Sequence, residues 1–258
     1  MSGTTFWRFL AGAFTLAVIA IGVFGAWRLL GPLGPIETER QQASYTQPLT
    51  RIVFTDFEAS DITVEGSAGT TIEIIRELRW TGSKPRHTES WEGQTLRVSH
   101  NCGDADDDEC SIAYRVRLPE SVEVHAETSS GDVTVAGLTA PVGLETVSGH
   151  VTLTALKGRV TVKTTSGDVS TSDLASAQAA VTTTSGNATL EFSVAPRALS
   201  VHTTSGDARV VVPSDRQPYR LSVRTVSGDQ RVNVDASQSA DRSIDAESTS
   251  GDVTIGYA

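Results

Sequence analysis

The chain has 258 residues, 38% of them hydrophobic, with 31 Asp and Glu against 21 Lys and Arg, a formal net charge of −10 at pH 7. That length has room for one large domain or two small ones. The acidic balance argues against nucleic acid or an anionic polymer as the main partner.

Residues 1–30 read as a membrane anchor. Phe9–Trp27, "FLAGAFTLAVIAIGVFGAW", runs nineteen residues without a charge between Arg8 and Arg28. A bilayer core asks for roughly 20 residues of helix, and Trp7 and Trp27 stand where amphipathic rings prefer the interface. The run exceeds the ~7–15 apolar residues of a cleavable signal, and no clear small-x-small site precedes Arg28. An uncleaved signal anchor is therefore favoured over a removed signal peptide. A buried soluble helix is the other alternative, and it would be the only helix in a β-rich chain. Arg8 and Arg28 nearly balance, so orientation rests on the short N-terminal tail and on a local cysteine pair suited to an oxidising compartment. The expectation is a single-pass cell-membrane protein with its C-terminal domain outside the cytoplasm. That part carries all 31 acidic residues and 19 basic ones, a charge of about −12.

Residues 31–50, with three prolines and no apolar periodicity, read as an extended tether. From Arg51 helix signals vanish and period-two alternation takes over, as in Ile52/Phe54, Ile62/Val64, Ile72/Ile74, Leu96/Val98 and Val122/Val124. Residues 51–125 form a β-rich segment and cap, with an antiparallel hairpin excursion between residues 75 and 118 that holds Trp80 and Trp91. Cys102 and Cys110 bracket "GDADDDE" and read as a disulfide, the alternative being two free thiols; with no other cysteine they make a poor zinc site.

Residues 126–258 are a seven-fold array. Ser-Gly pairs recur at Ser130-Gly131, Ser148-Gly149, Ser166-Gly167, Ser185-Gly186, Ser205-Gly206, Ser227-Gly228 and Ser250-Gly251. A period near twenty residues is the mark of a solenoid. Four residues before each serine stand Ala126, Leu144, Val162, Val181, Val201, Val223 and Ala246. Two before stand Thr128, Thr146, Thr164, Thr183, Thr203, Thr225 and Ser248. The intervening position is often charged: Glu127, Glu145, Lys163, Thr182, His202, Arg224 and Glu247. Apolar parity shifts across Ser-Gly-Asp, as a corner requires, with glycine supplying positive φ and the small serine pointing inward. A two-residue hairpin gives the same parity. Seven-deep Thr and Ser columns favour stacked coils, in which equivalent residues lie about 4.8 Å apart. No repeat buries its own apolar face, so neighbours must stack. The chain stops just after its seventh corner, which leaves the C-terminal coil as an edge for a partner or a second copy to cover.

The anchor, the stretch "LPESVEVHAETSSGDVTV" and the reiterated T-x-SGDV-T-V turns together resemble bacterial domain-of-unknown-function family 4097, whose β-strand-repeat members carry the label "putative adhesin". The resemblance covers roughly residues 45–258. It implies an all-β, single-stranded, right-handed β-solenoid, here preceded by one transmembrane helix, in or outside the envelope. It carries over no catalytic motif. His150, Asn187 and Gln230 depart from the repeat.

The residues following the corner glycines are Asp132, His150, Asp168, Asn187, Asp207, Asp229 and Asp252. They read as turn residues; the alternative is a calcium column, most plausible at Asp207, Asp229 and Asp252. The loop Asp104, Asp106, Asp107, Asp108 and Glu109 reads as a solvated tip for want of an EF-hand pattern. There is no G-x-S-x-G or H-E-x-x-H motif, and the five histidines are scattered. The sequence therefore reads as a non-catalytic surface interaction module, without cofactor or metal, that meets an envelope protein or surface macromolecule. The alternative is an envelope-stress sensor or regulator acting through a membrane partner; a glycan-cleaving solenoid is a third reading.

Overall fold

The computed structural model describes residues 36–102 and 110–258, the side chains of residues 56–59 excepted. Phe9–Trp27, the expected anchor, lies outside the described residues. Among the described residues there is no helix, and hence none long and apolar enough to cross a membrane.

Seven strands come first: β1 (Glu37–Tyr45), β2 (Arg51–Ala59), β3 (Ile62–Ser67), β4 (Ile72–Trp80), β5 (Arg86–Glu92), β6 (Thr95–Asn101) and β7 (Cys110–Pro119). Paired strands follow. They are β8 (Glu123–Ser130) with β9 (Val133–Ala136), β10 (Val142–Ser148) with β11 (Val151–Thr154), and β12 (Val160–Ser166) with β13 (Val169–Leu174). Next come β14 (Gln178–Ser185) with β15 (Ala188–Phe192) and β16 (Ala198–Ser205) with β17 (Ala208–Val212). The last pairs are β18 (Arg220–Ser227) with β19 (Gln230–Asn233) and β20 (Ser243–Ser250) with β21 (Val253–Tyr257).

The two members of each pair fall in different sheets. The ten-stranded sheet runs β18-β20-β16-β14-β12-β10-β8-β2-β6-β5, and the eleven-stranded sheet runs β1-β4-β7-β3-β9-β11-β13-β15-β17-β21-β19. Successive coils pair in parallel: Leu144 stands beside Val162, and Val162 beside Val181. Parallel ladders exclude the hairpin meander, because a two-residue turn joins only antiparallel neighbours. The apolar columns form one shared core, with Leu144, Val162 and Val181 at most 2% exposed.

The stack starts earlier than the seven Ser-Gly pairs. β2 and β3 lie parallel to β8 and β9, and the turn between them at Ser60-Asp61 is one more corner. Ser60 donates its amide to Ser130 O at 3.0 Å, and Ile62 to Asp132 O at 2.9 Å. β6 and β7 add a further parallel coil against β2 and β3. The Cys102–Cys110 disulfide, with Cα atoms 5.8 Å apart, links the residue after β6 to the first residue of β7. The antiparallel excursion is β4 on β7 and β5 on β6. Residues 31–50 also differ from a plain tether, because β1 forms within them and edges the eleven-stranded sheet beside β4.

Chain order and spatial order part at both ends. β2–β3, the first coil made, sits between β6–β7 and β8–β9; β20–β21, the last made, sits between β16–β17 and β18–β19. This corrects the expectation that the C-terminal coil is the open end: that position belongs to β18–β19. Gln230 supplies the physical reason. It occupies the inward position that Val133, Val151, Val169, Ala188, Ala208 and Val253 fill elsewhere, all at most 1% exposed. A buried, unpaired amide costs free energy, so the coil carrying it goes outermost, where Gln230 is exposed.

Candidate functional site

Each corner is built from three columns. The glycine column turns the chain with positive φ, for example +149° at Gly167. The threonine column points inward, and five of its seven hydroxyls donate to corner carbonyls; those of Thr164 and Thr183 are buried with no hydrogen-bond partner among the described residues. Thr128 and Thr146 reach Ser130 O and Ser148 O at 2.9 and 3.2 Å, while Thr203, Thr225 and Ser248 reach the glycine carbonyl of the adjacent coil at 2.9–3.3 Å. Only a short hydroxyl satisfies these oxygens without opening the core. The serine column differs from expectation. Ser148, Ser166, Ser185, Ser205, Ser227 and Ser250 are exposed, because the turn begins at the serine and swings it outward.

The aspartate column is a series of clasps between coils. Asp61 Oδ1 accepts the Asp132 amide at 2.9 Å, and Asp132 Oδ1 accepts the His150 amide at 2.8 Å. Asp168 holds the Asn187 amide at 2.7 Å, Asn187 that of Asp207 at 2.9 Å, and Asp207 that of Asp252 at 2.8 Å. Asp252 holds the Asp229 amide at 2.8 Å. His150, with a ring in place of an oxygen, interrupts the series. The stretch Asp207, Asp252, Asp229 is contiguous in space, and Arg231 bridges Asp229 and Asp252 at 2.9 and 3.1 Å. Its guanidinium stands where a cation would sit. Among the described residues no three His, Cys, Asp or Glu side chains are grouped to hold a metal ion; residues 104–109 lie outside them.

The Asp229 amide, and then Arg231, hold the Asp252 carboxyl below the usual carboxylate range. A depressed folded-state pKa contributes stability that is present above the unfolded value, about 4 for Asp, and is lost as pH falls through the lower folded value. Asp252→Asn keeps the accepting oxygen and removes the charge. Its expected effect is a modestly lower stability than wild type at pH 7, with the two proteins converging as pH falls below about 4 because the variant lacks that acid-labile contribution. Urea midpoints from pH 2 to 7 for both proteins check this.

The candidate binding surface is a polar groove of about 820 Å³ on the outer face of the ten-stranded sheet. It starts at His100, near the disulfide, and crosses β8, β10, β12 and β14. Glu127, Glu145, Lys163, Thr165 and Thr182 line it. Glu127 and Glu145 are direct ladder neighbours, an unfavourable like-charge pair. Two neighbouring side chains relieve it: the Lys163 ammonium lies 2.7 Å from Glu145 Oε1, and the His125 ring places Nε2 3.0 Å from Glu127 Oε1. The hydrogen bond that Lys163 donates to Glu145 raises the Lys163 pKa, so the ammonium stays charged. The floor therefore carries hydroxyls between charges of both signs, a surface suited to a polar macromolecule. Glu127, Glu145, Lys163 and Thr182 are recognisable in the sequence as outward positions. Their union in one groove depends on the parallel register.

Among curated proteins none matches the chain. Solved structures of similar fold include a putative adhesin from Bacteroides fragilis, 15% identical, with a TM-score of 0.52 over 85% of this chain and 97% of that one. A putative cell adhesion protein from Clostridium sporogenes is 11% identical, with a TM-score of 0.44 over 86% of this chain and all of that one. At such identities the likeness concerns the fold, and only the first has a TM-score high enough to support it. The profile of the Toastrack DUF4097 family matches residues 61–258, the span that holds every Ser-Gly corner, the clasps and the groove. The chain thus belongs to the Toastrack DUF4097 family.

Proposed function

We propose that this protein is a membrane-anchored, extracytoplasmic interaction module that binds another macromolecule at a cell surface without transforming it. The groove carries this reading: about 820 Å³ of polar surface across four neighbouring strands, on a face that the ladders hold rigid. Such a face is preorganised, so little ordering cost falls on binding. Two further facts support the reading, the adhesin designation of the Bacteroides fragilis structure and the uncharged run Phe9–Trp27 between arginines.

The test uses the full chain expressed in a bacterium. Protease added to intact cells should remove residues after the anchor while leaving a cytoplasmic marker whole. Cells carrying Thr165→Lys with Thr182→Glu, which leave the Lys163–Glu145 pair in place, should lose surface attachment at least tenfold, about 1.4 kcal/mol, with unchanged melting. Attachment equal to wild type would remove the groove from the function. Protection from protease would remove the extracytoplasmic placement.

A further inference from the structure

We propose that the cavity where three loops meet, at the start of β16, β18 and β20, binds a uronic acid, a sugar ring that carries a carboxylate. This site is separate from the groove, and either can hold without the other.

The inverted order of the last coils creates the cavity. Residues 213–219 lead from β17 outward past the place of β20 to reach β18, and residues 234–242 lead from β19 back to β20. Between inner coils the connection is shorter, as at residues 175–177 between β13 and β14. The two long loops and the end of the 193–197 connection enclose about 670 Å³. Small-ligand sites usually occupy roughly 300–1,000 Å³. The polar lining is Arg197, Gln217, Ser239, Asp241 and Arg242.

Arg197 and Arg242 are neighbours across the ladder, because Ala198 pairs with Ser243 and the Ser243 amide donates to Arg197 O at 2.9 Å. Like charges so placed repel, which favours an anion at this point. Arg242 is already held. Asp215 pairs with it, and the Tyr219 ring lies beneath it. The same Asp215 accepts the Gln217 amide at 3.1 Å, in a turn that keeps Arg216 at φ +60°. One carboxylate thus fixes two walls of the cavity, and little ordering cost is left for a ligand. Arg197 is the unanswered charge: it is exposed, and among the described residues it makes no ion pair. Its planar fork matches a carboxylate.

Asp241 narrows the ligand further. It lines the same cavity, is exposed, and likewise makes no ion pair among the described residues. A bare oxyanion such as phosphate would gain at Arg197 and lose at Asp241. A ligand with a carboxylate on one side and hydroxyls on the other satisfies both, because an ionised Asp accepts hydroxyl protons. Gln217 and Ser239 meet further hydroxyls, while Ala195, Pro218 and Ala240 offer apolar surface to the ring. One ring is enough, so the site asks for no long anionic polymer, which the net charge of −10 disfavours.

Calorimetric titration of the full chain in a sugar-free detergent tests this. The probes are the methyl glycosides of glucuronate and galacturonate, methyl glucoside and inorganic phosphate. At least one uronoside should bind about tenfold more tightly than both methyl glucoside and phosphate. Arg197→Ala should weaken that binding at least about tenfold with unchanged melting, and Asp241→Asn should narrow the gap between uronoside and phosphate. The groove variant, Thr165→Lys with Thr182→Glu, should bind the uronoside as wild type does. The proposal is overturned if neither uronoside binds, if the neutral sugar or phosphate binds as tightly, or if Arg197→Ala changes nothing. The comparison of probes on wild type decides the matter even where a variant folds poorly.

Discussion

Replacing Arg76 with alanine is expected to lower stability by about 3–5 kcal/mol, the cost of leaving one member of a buried ion pair alone. The side chains of Arg76 and Glu89 are 6% and 9% exposed and join strands of different sheets. Tyr45 of β1 donates to the same carboxylate, so one Glu holds three strands over the end of the core. Without Arg76 the Glu89 charge keeps a single neutral donor. Arg51–Glu123 is the control, a pair at 2.8 Å whose side chains are 50% and 37% exposed. Solvent screens such a pair, and Arg51→Ala should cost under about 1 kcal/mol. The double variant Arg76→Met/Glu89→Leu should recover most of the loss, because it removes both charges and leaves apolar bulk. His87 offers a second readout. Burial, and then the Arg76 charge, lower its pKa, so it should titrate higher in Arg76→Ala. Urea midpoints that move equally for Arg76→Ala and Arg51→Ala would refute the clamp.

What could be read from the sequence is what repeats. The columns at Val162, Thr164 and Gly167 recur at a constant offset, and offset alone fixes which residues stack in a parallel coil. The corner at Ser60 escaped because its glycine position holds serine, although "DITVEG" at Asp61–Gly66 matches "DVTVAG" at Asp132–Gly137 position for position in pattern. The β6–β7 coil escaped for a related reason: no Ser-Gly pair stands between its two strands, so the mark of a repeat is missing from the sequence. Spatial order is harder still. Every coil offers its neighbours nearly the same Ser, Thr and Val columns, so β18 would meet β16 or β20 with the same residue types in register. Only Gln230, polar at an inward position, marks which coil is outermost. The outward residues of the groove were visible singly. A groove is a property of neighbouring coils, and that is not written in a single repeat.

Self-similarity also explains why the end coils are inserted and not appended. An outermost coil has ladder partners on one side alone. Tucking β20–β21 inside gives each of its strands two ladder partners. The exposed coil that results has loops at both of its ends, and Tyr219, just before β18, is fully buried beneath the Arg242 guanidinium, which lies 5.8 Å from its ring centre. Residues 235–237 hydrogen-bond Tyr219 in turn, which pins the start of the outermost coil in register.

The glycine column sets the spacing of the whole stack, and Gly167→Ala is expected to cost about 3 kcal/mol or more. Two separate penalties meet there. At φ +149° an L side chain is strained, by about 1–3 kcal/mol. An added Cβ would also stand 2.0 Å from Gly149 O, backbone of the adjacent coil that has no side-chain freedom to yield. The coils must then separate at that corner, which stretches the Gly149 amide bond to Ser166 O and the Val151 amide bond to Asp168 O as well. Because each coil is stable only against its neighbours, the damage should spread, with amide exchange rising in β10 and β14 as well as β12. Gly93 separates the two penalties. Its φ is +63°, but nothing lies within 4 Å of an added Cβ, so Gly93→Ala should cost only about 1 kcal/mol. If urea unfolding gives the two alanine variants the same loss, close approach between corners contributes nothing, and the column would exist for its φ angle alone. A larger loss at Gly167, with exchange raised on both flanking coils, means that the missing side chains themselves let the coils meet.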